Sequence, residues 1–215
     1  MKISIYAVAL MSIFICNASA NAAPILTNGS LTGPINNSSL PPGWSAVSPS
    51  PDTMDENNNL GLPFNTFQAT PSPSPDGGTW VGMGADGVSI FESLGQTVSG
   101  FSIGTSYDVS WYHANFGHGF GFDGDNAIEL LIDGVVMGGG PLLALSTSWV
   151  DETVSFTATS ASHAISFRLQ NNTRSYHSID GIRLRDSSVA PVPLPAGLGL
   201  FCLALATLRV RKRSV

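Results

Sequence analysis

Short runs of alternating apolar and polar residues, separated by turn-forming residues, run through this chain from residue 79 onward. The clearest run is residues 105–114, where Tyr107, Val109 and Trp111 alternate with less apolar neighbours, the period of two that indicates a half-buried strand. Residues flanking Asp133 and Gly134 form a second signal, because this dipeptide is typical of a two-residue hairpin turn. The pattern predicts strands at residues 24–31, 79–84, 88–98 with a break near Gly95, 105–114, 127–132, 135–137, 149–157, 163–169 and 178–184.

Between the two termini, no stretch shows a convincing helical period of 3.6 residues. Residues 41–44, 48–59 and 71–78 are rich in proline, glycine, asparagine and serine, and are expected to be irregular loops. Short strands with a turn about every ten residues predict an all-β fold, an antiparallel β-sandwich. Residues 24–190 have the length of one such domain.

The two ends of the chain have a different composition. Lys2 precedes an apolar run at residues 3–16 that small residues follow, which predicts a secretory signal peptide at residues 1–22. At the other end, apolar residues 196–208 would form a helix of about 20 Å, short of the ~30 Å of a bilayer core. If residues 192–195 extend this helix and the basic side chains that follow it reach the membrane surface, the resulting hydrophobic anchor helix is long enough to span the bilayer.

Four basic residues follow this apolar run and predict that its end stays in the cytoplasm; they are Arg209, Arg211, Lys212 and Arg213. Everything upstream would then lie on the outer side of the membrane. A buried C-terminal helix of a soluble domain is the alternative interpretation of the same run.

The apolar run begins with the sequence Val192, Pro193, Leu194, Pro195 and Ala196. Followed by a short apolar helix and a basic end, it resembles the VPLPA variant of the PEP-CTERM sorting signal of Gram-negative bacteria. The resemblance implies that residues 191–215 are recognised by exosortase, after export by the general secretion machinery. It also implies anchoring in the inner membrane before processing, then a location at the cell surface or outside the cell, often in association with exopolysaccharide.

Cysteine and charge limit the chemistry of residues 24–190. The two cysteines, Cys16 and Cys202, lie in the targeting segments, so the exported domain has no disulfide and no thiol nucleophile. All 15 acidic residues of the chain lie in this domain, against four arginines. Such a strongly negative domain repels nucleic acid and attracts divalent cations.

The order of several short motifs resembles the jelly-roll, galactose-binding-like domains of bacterial surface proteins and carbohydrate-binding modules. The motifs are residues 28–30, 42–44, 92–98, 104–107, 131–134, Trp149 and residues 179–184. The resemblance implies a structural calcium between the first and last strands, with Asp180 and Asn28 as candidate ligands. Alternatively, Asp180 is a turn or cap carboxylate that accepts backbone N–H groups.

A glycine-rich loop at residues 113–126 carries a second group of candidate residues. Aromatic, carboxylate and amide side chains there are those expected of a ligand loop, namely Phe116, Phe120, Phe122, Asp123, Asp125 and Asn126. Its glycines would allow these side chains to converge. The alternative is a long connection whose phenylalanines cap the sandwich.

The chain lacks the common catalytic patterns. It has no HExxH motif, GxSxG motif or Walker phosphate-binding loop, and its four histidines show no metal-ligand spacing and are expected to be isolated. We therefore expect a non-catalytic protein that binds or associates with exopolysaccharide. The alternatives are a polysaccharide hydrolase, with Glu92 and Asp125 as paired carboxylates if folding brings them together, and an architectural protein without a ligand.

Overall fold

The computed structural model describes residues 23–48, 51–57, 67–88, 92–119 and 121–188. Its regular elements are ten strands: β1 Ser45–Ser48, β2 Asp52–Met54, β3 Trp80–Ala85, β4 Ser93–Ser99, β5 Ser106–Ala114, β6 Ile128–Ile132, β7 Val135–Gly139, β8 Val150–Thr157, β9 Ser162–Leu169 and β10 Ser175–Asp186. Across these described ranges, no helix is long and apolar enough to cross a membrane. The signal peptide at residues 1–22 and the sorting tail at 191–215 lie outside them, so both assignments stay predictions.

The strands form two five-stranded sheets, and every pairing is antiparallel. One sheet has the order β1-β4-β9-β6-β7 and the other the order β2-β3-β10-β5-β8. Most successive strands from β3 onward pass from one sheet to the other, as in a jelly-roll sandwich. The prediction of an all-β, antiparallel sandwich is therefore confirmed.

The hydrophobic core fills the space between the two sheets. Strand β5 contributes Tyr107, Val109 and Trp111, which are buried, while the residues between them are partly exposed. Trp111 packs edge-on against Phe167 of the opposite sheet, with 5.2 Å between ring centroids. The alternation predicted for this strand thus faces the core as expected.

A second apolar cluster lies on the outer face of the sheet that contains β3 and β10. Its buried members are Met54, Trp80, Ala114, Phe116 and Tyr176. Residues 67–79 run across this face and close part of it. Their backbone is held there because Trp149 donates its indole N–H to the Ser72 carbonyl at 3.0 Å, and the Ser74 hydroxyl donates to Asp180.

Three predicted elements differ from the structure. Residues 24–31 form no strand, because Asn28 and Leu31 have φ values of 51° and 45° and close a turn instead. Residues 48–59 are not all loop, since β2 pairs with β3 and covers one edge of its sheet. Gly95 does not break β4, where a side chain at this position would press on Ile165 and Ser166 of β9.

Candidate ligand-binding site

A pocket of about 270 Å³ lies at one end of the sandwich, where β3 ends and β4 and β10 begin. We call it the end pocket. It is lined by Gly84, Ala85, Asp86, Glu92, His118, Phe122 and Tyr176. Its position at strand ends, with one wall from the β5–β6 connection, is a common position for binding residues on a rigid scaffold.

The floor of the end pocket depends on two glycines of β3. Gly82 and Gly84 face the outer side of the sheet, where β10 places Tyr176 opposite Gly84. A Cβ at Gly82 would collide with the Tyr176 hydroxyl, and a Cβ at Gly84 would lie 3.2 Å from the tyrosine ring and 3.3 Å from Glu92 Oε2. The absence of side chains here allows the ring and the carboxyl to lie directly on the strand.

Tyr176 is a fixed part of this floor. Its hydroxyl donates to Asp52 Oδ2 at 2.7 Å, and Asp52 Oδ1 accepts the Ser38 N–H at 2.6 Å. Burial, together with the carboxyls of Asp52 and Glu92, raises the pKa of Tyr176 well above its ordinary value, and burial also raises the pKa of Asp52. The tyrosine is therefore a neutral ring whose hydroxyl is held by Asp52.

Glu92 supplies the polar group of the end pocket. Its Oε2 accepts the Gly84 N–H at 2.6 Å. Burial raises the pKa of Glu92 to about 8, the charge of Asp52 adds to this, and the Gly84 N–H opposes it. At neutral pH the carboxyl is mostly protonated, so it can donate one hydrogen bond and accept others.

Aromatic rings form the remaining wall. The His118 ring lies over Tyr176 with 4.8 Å between centroids, and Phe122 meets His118 edge-on at 6.3 Å. Backbone hydrogen bonds in both directions between His118 and Phe122 hold this turn closed. Burial lowers the pKa of His118, so the wall is largely uncharged. The Arg174 guanidinium lies 4.3 Å from the centre of the Phe122 ring.

The structure distributes the predicted loop residues over different environments. Phe116 is buried in the outer apolar cluster, while Phe122 lines the end pocket and Phe120 lies outside the described residues. Asp123 and Asp125 are exposed. Asn126 is fully buried, where its amide donates to the Asn171 carbonyl and the Ser175 hydroxyl and accepts the Ala127 N–H.

The interior of the pocket comes mainly from residues outside that predicted set. The sequence pairs Glu92 with Asp125 as the carboxylates of a possible hydrolase, but Asp125 does not line the pocket, and the acidic neighbour of Glu92 is Asp52. No sequence motif marks Asp52, His118 or Tyr176 as site residues. The alternating glycines of β3 were the one sequence signal, since they leave room for large side chains from a neighbouring strand.

The histidines are not isolated, contrary to expectation. His113 and His177 are fully buried and share a hydrogen bond of 2.8 Å between Nε2 and Nδ1. Burial lowers the pKa of both rings, that of His177 to about 4, and His177 further lowers that of His113. His163 is bonded through Nδ1 to Asp133 of the β6–β7 turn at 2.6 Å, which fixes this hairpin.

The two candidate metal ligands have separate partners. The Asn28 amide donates to the carbonyls of Thr32 and Pro42 and accepts the Thr32 N–H. Asp180 is buried beneath Ser74, whose hydroxyl donates to Oδ2, while Oδ1 has no hydrogen-bond partner among the residues that the structure describes; burial raises the pKa of Asp180 to about 7. No group of three or more acidic, histidine or cysteine side chains in the described ranges could hold a metal. One carboxylate is a poor fit to the six to eight oxygens of calcium. The calcium that the resemblance implies stays a prediction from the sequence, and the geometry at Asp180 weighs against it.

A larger open depression of about 480 Å³ lies between residues 24–30 and the second half of β10. Its lining includes Asp76, Arg183 and Arg185 but no aromatic ring. Arg183 is already engaged, since its guanidinium bonds Asp151 at 2.5 Å and Tyr112 at 2.9 Å. The end pocket, which combines aromatic walls with a carboxyl, has more of the features of a ligand site.

Comparison with known proteins returned no matching family model and no matching curated protein. Among solved structures, TmCBM61 in complex with β-1,4-galactotriose is similar at 14% identity and a TM-score of 0.44, covering 68% of this chain and 90% of that one. A family 35 carbohydrate-binding module from Clostridium thermocellum is similar at 11% identity and a TM-score of 0.40, covering 77% of this chain and all of that one.

The sugar-binding C-terminal domain of EclA is similar at 17% identity and a TM-score of 0.36. The match covers 42% of this chain and 64% of that structure's length. These identities and TM-scores are too low to transfer a ligand or an activity to this chain.

Proposed function

We propose that this chain is an exported cell-surface or extracellular-matrix protein whose sandwich binds a sugar unit of an exopolysaccharide in the end pocket. The observation that carries the proposal is that the Glu92 carboxyl lines one pocket together with the aromatic rings of Tyr176, His118 and Phe122. Such a pocket offers apolar faces to a sugar ring and one donor–acceptor group to its hydroxyls. The protein binds without cleaving.

The position of the end pocket supports display at a surface. Tyr176 lies near the first residue of β10, whereas the chain leaves the described residues at Ser188, beyond the far end of this strand. Ala23, at the other end of the described chain, lies beside Leu184 and Asp186 of the same far end. A 12-residue strand spans roughly 40 Å. The end pocket therefore lies at the opposite end of the sandwich from Ser188, where the chain continues towards its tail.

Binding is tested with the full-length chain in non-ionic detergent and a panel of immobilised oligosaccharides. We expect Phe122→Ala to weaken binding of any retained glycan by about tenfold, because one aromatic face is lost. Asp125→Asn, a change at an exposed carboxylate of the same loop, should leave binding unchanged. Retention that is equal for both variants would place the glycan elsewhere and refute the end pocket.

The export part of the proposal concerns the tail. Exosortase would recognise the segment that contains Pro193 and Pro195, because prolines favour an open backbone that a protease can bind. Replacing both by alanine should leave an uncleaved precursor in the inner membrane, seen as a larger band in the membrane fraction. Normal processing of that variant would contradict the sorting function.

A hydrolase is the second candidate, and the raised pKa of Glu92 favours it, since a protonated carboxyl can serve as a general acid. The geometry of Asp52 weighs against it, because this carboxyl is bonded to the Tyr176 hydroxyl and does not line the pocket. Release of reducing ends from a bound glycan by the wild type, and not by Glu92→Gln, would establish the hydrolase and overturn the binding function.

A further inference from the structure

We propose that the end pocket selects a sugar unit with a positive charge, a hexosamine with a free ammonium group, which pairs with Glu92 against the aromatic wall. This inference rests on the proposed function and names its ligand class.

The first argument is the missing counter-charge of Glu92. Two arginines form ion pairs with carboxylates other than Glu92: Arg168 with Glu129 at 2.7 Å and Arg183 with Asp151 at 2.5 Å. Within the described ranges the donor to the Glu92 carboxyl is a single backbone N–H, from Gly84. A partly buried carboxyl without a nearby cation is held in its neutral form, and a ligand cation would supply a partner that the described residues do not provide.

The second argument is the sign of the groups that face Glu92. Asp52 approaches from β2, Asp86 from the β3–β4 connection and Tyr176 from β10, while His118 belongs to the β5–β6 connection. The pKa of His118 is lowered and that of Tyr176 raised, so both are largely neutral near pH 7. Arg174, which lies over Phe122, is a positive charge beside the wall but is not among the residues that line the pocket. The charged groups closest to Glu92 are thus acidic, and their field favours a cation over the carboxylates of uronic acids.

The third argument is that the aromatic wall already holds a cation. The Arg174 guanidinium lies over Phe122 at 4.3 Å from the ring centre, a distance typical of a cation–π contact. Phe122 and His118 line the same pocket as Glu92. Carboxylate and aromatic faces together are the groups that recognise organic ammonium ions.

Size limits the ligand to one such unit. The pocket volume of about 270 Å³ is at the lower end of known ligand sites, which begin near ~300 Å³. A single amino-sugar residue of a polysaccharide, bound with its ammonium towards Glu92, is the corresponding ligand.

Binding of an ammonium group should also release a proton. The pKa of Glu92 is about 8, so the carboxyl is protonated at pH 6, and pairing with a cation favours its ionised form. A ligand without charge has no such effect. The number of protons released is therefore a signature of the contact with Glu92.

The experiment uses the full-length chain in non-ionic detergent at pH 6 and isothermal titration calorimetry in two buffers of different ionisation enthalpy. The probes are a β-1,4-linked glucosamine trisaccharide and its N-acetylated equivalent, which share a backbone and differ in charge. We expect the glucosamine trisaccharide to bind roughly tenfold or more tightly, with release of up to one proton. Glu92→Gln should lose roughly 10- to 100-fold of this affinity and the proton release.

Asp125→Asn is the matched control, because it removes one negative charge from an exposed position and should keep both effects. Equal loss in both variants would show that the overall negative charge attracts the probe, and would overturn the inference. If the N-acetylated trisaccharide binds as tightly as the amine, the inference fails while the binding function stands. If a folded protein binds neither these probes nor any neutral oligosaccharide, both fail.

Discussion

Glu92 makes the stability of this protein depend on pH in a way that one substitution removes. An acid whose folded pKa is raised contributes stability below its unfolded pKa, here 4.5, and this is lost as pH rises through about 8. With this shift in the pKa of Glu92, the free energy of unfolding should fall by at most about 4 kcal/mol between pH 5 and pH 9. Solvent at the pocket mouth reduces the expected fall to roughly 2–4 kcal/mol. Glu92→Gln keeps an acceptor for the Gly84 N–H and has no charge to bury.

The assay is thermal unfolding of the full-length wild type and Glu92→Gln in detergent, at pH 5 and pH 9. For a domain of this size 1 kcal/mol moves the midpoint by about 2–4 °C. The wild type should lose at least about 4 °C more than the variant between the two pH values. The thermal midpoint of both proteins should also fall by a common amount between pH 5 and pH 9, because burial raises the pKa of Asp180 to about 7.

Equal pH slopes for the wild type and Glu92→Gln would refute the reasoning, since Glu92 would then be solvated in the folded state. Asp125→Asn is the control for a simple change of net charge, because Asp125 is exposed, and it should follow the wild type.

The buried His113–His177 pair should make the protein sensitive to acid. The stability that its neutral rings contribute above the unfolded pKa of 6.5 is lost as the pH falls towards about 4. For His177 the loss in free energy of unfolding at pH 4.5 is about 2–3 kcal/mol. Chemical denaturation at pH 6.5 and 4.5 measures this. Gly82→Ala should destabilise by about 1–3 kcal/mol, because its methyl group would collide with the Tyr176 hydroxyl, as seen in the thermal midpoint. Because Asp180 offers a single carboxylate, we expect the same midpoint in calcium and in EDTA.

A specific result would contradict each of these predictions. An imidazole NMR signal of His113 or His177 that titrates near pH 6.5 would show that the pair is hydrated. An unchanged midpoint for Gly82→Ala would mean that Tyr176 moves freely, and Gly84→Ala, which meets the same ring at 3.2 Å, should have the smaller effect. A thermal midpoint several degrees higher in calcium than in EDTA would establish a metal site. A ligand at 100 times its dissociation constant adds about 2.7 kcal/mol to the free energy of unfolding, which is enough for such a rise.

The sequence pattern was sufficient to predict those elements whose conformation depends on a few neighbouring residues. Alternation in β5 placed Tyr107, Val109 and Trp111 in the core, because side chains of a strand alternate between its two faces. Asp133 and Gly134 adopt φ values of 51° and 80° in the β6–β7 turn, the left-handed conformation that this dipeptide favours. Sequence alone therefore determined the β class, the main strands and this hairpin, and it supplied the predictions for the two terminal segments.

Tertiary structure alone decided the site. Asp52, Glu92 and Tyr176 are far apart in the chain, and only the pairing of β2 and β10 with β3 brings them over Gly82 and Gly84. The same packing raises the pKa of Glu92, because loss of solvent around a carboxyl depends on neighbours from several strands. Hydrophobic alternation identifies the buried face of a strand, whereas strand order determines which side chains meet on the other face.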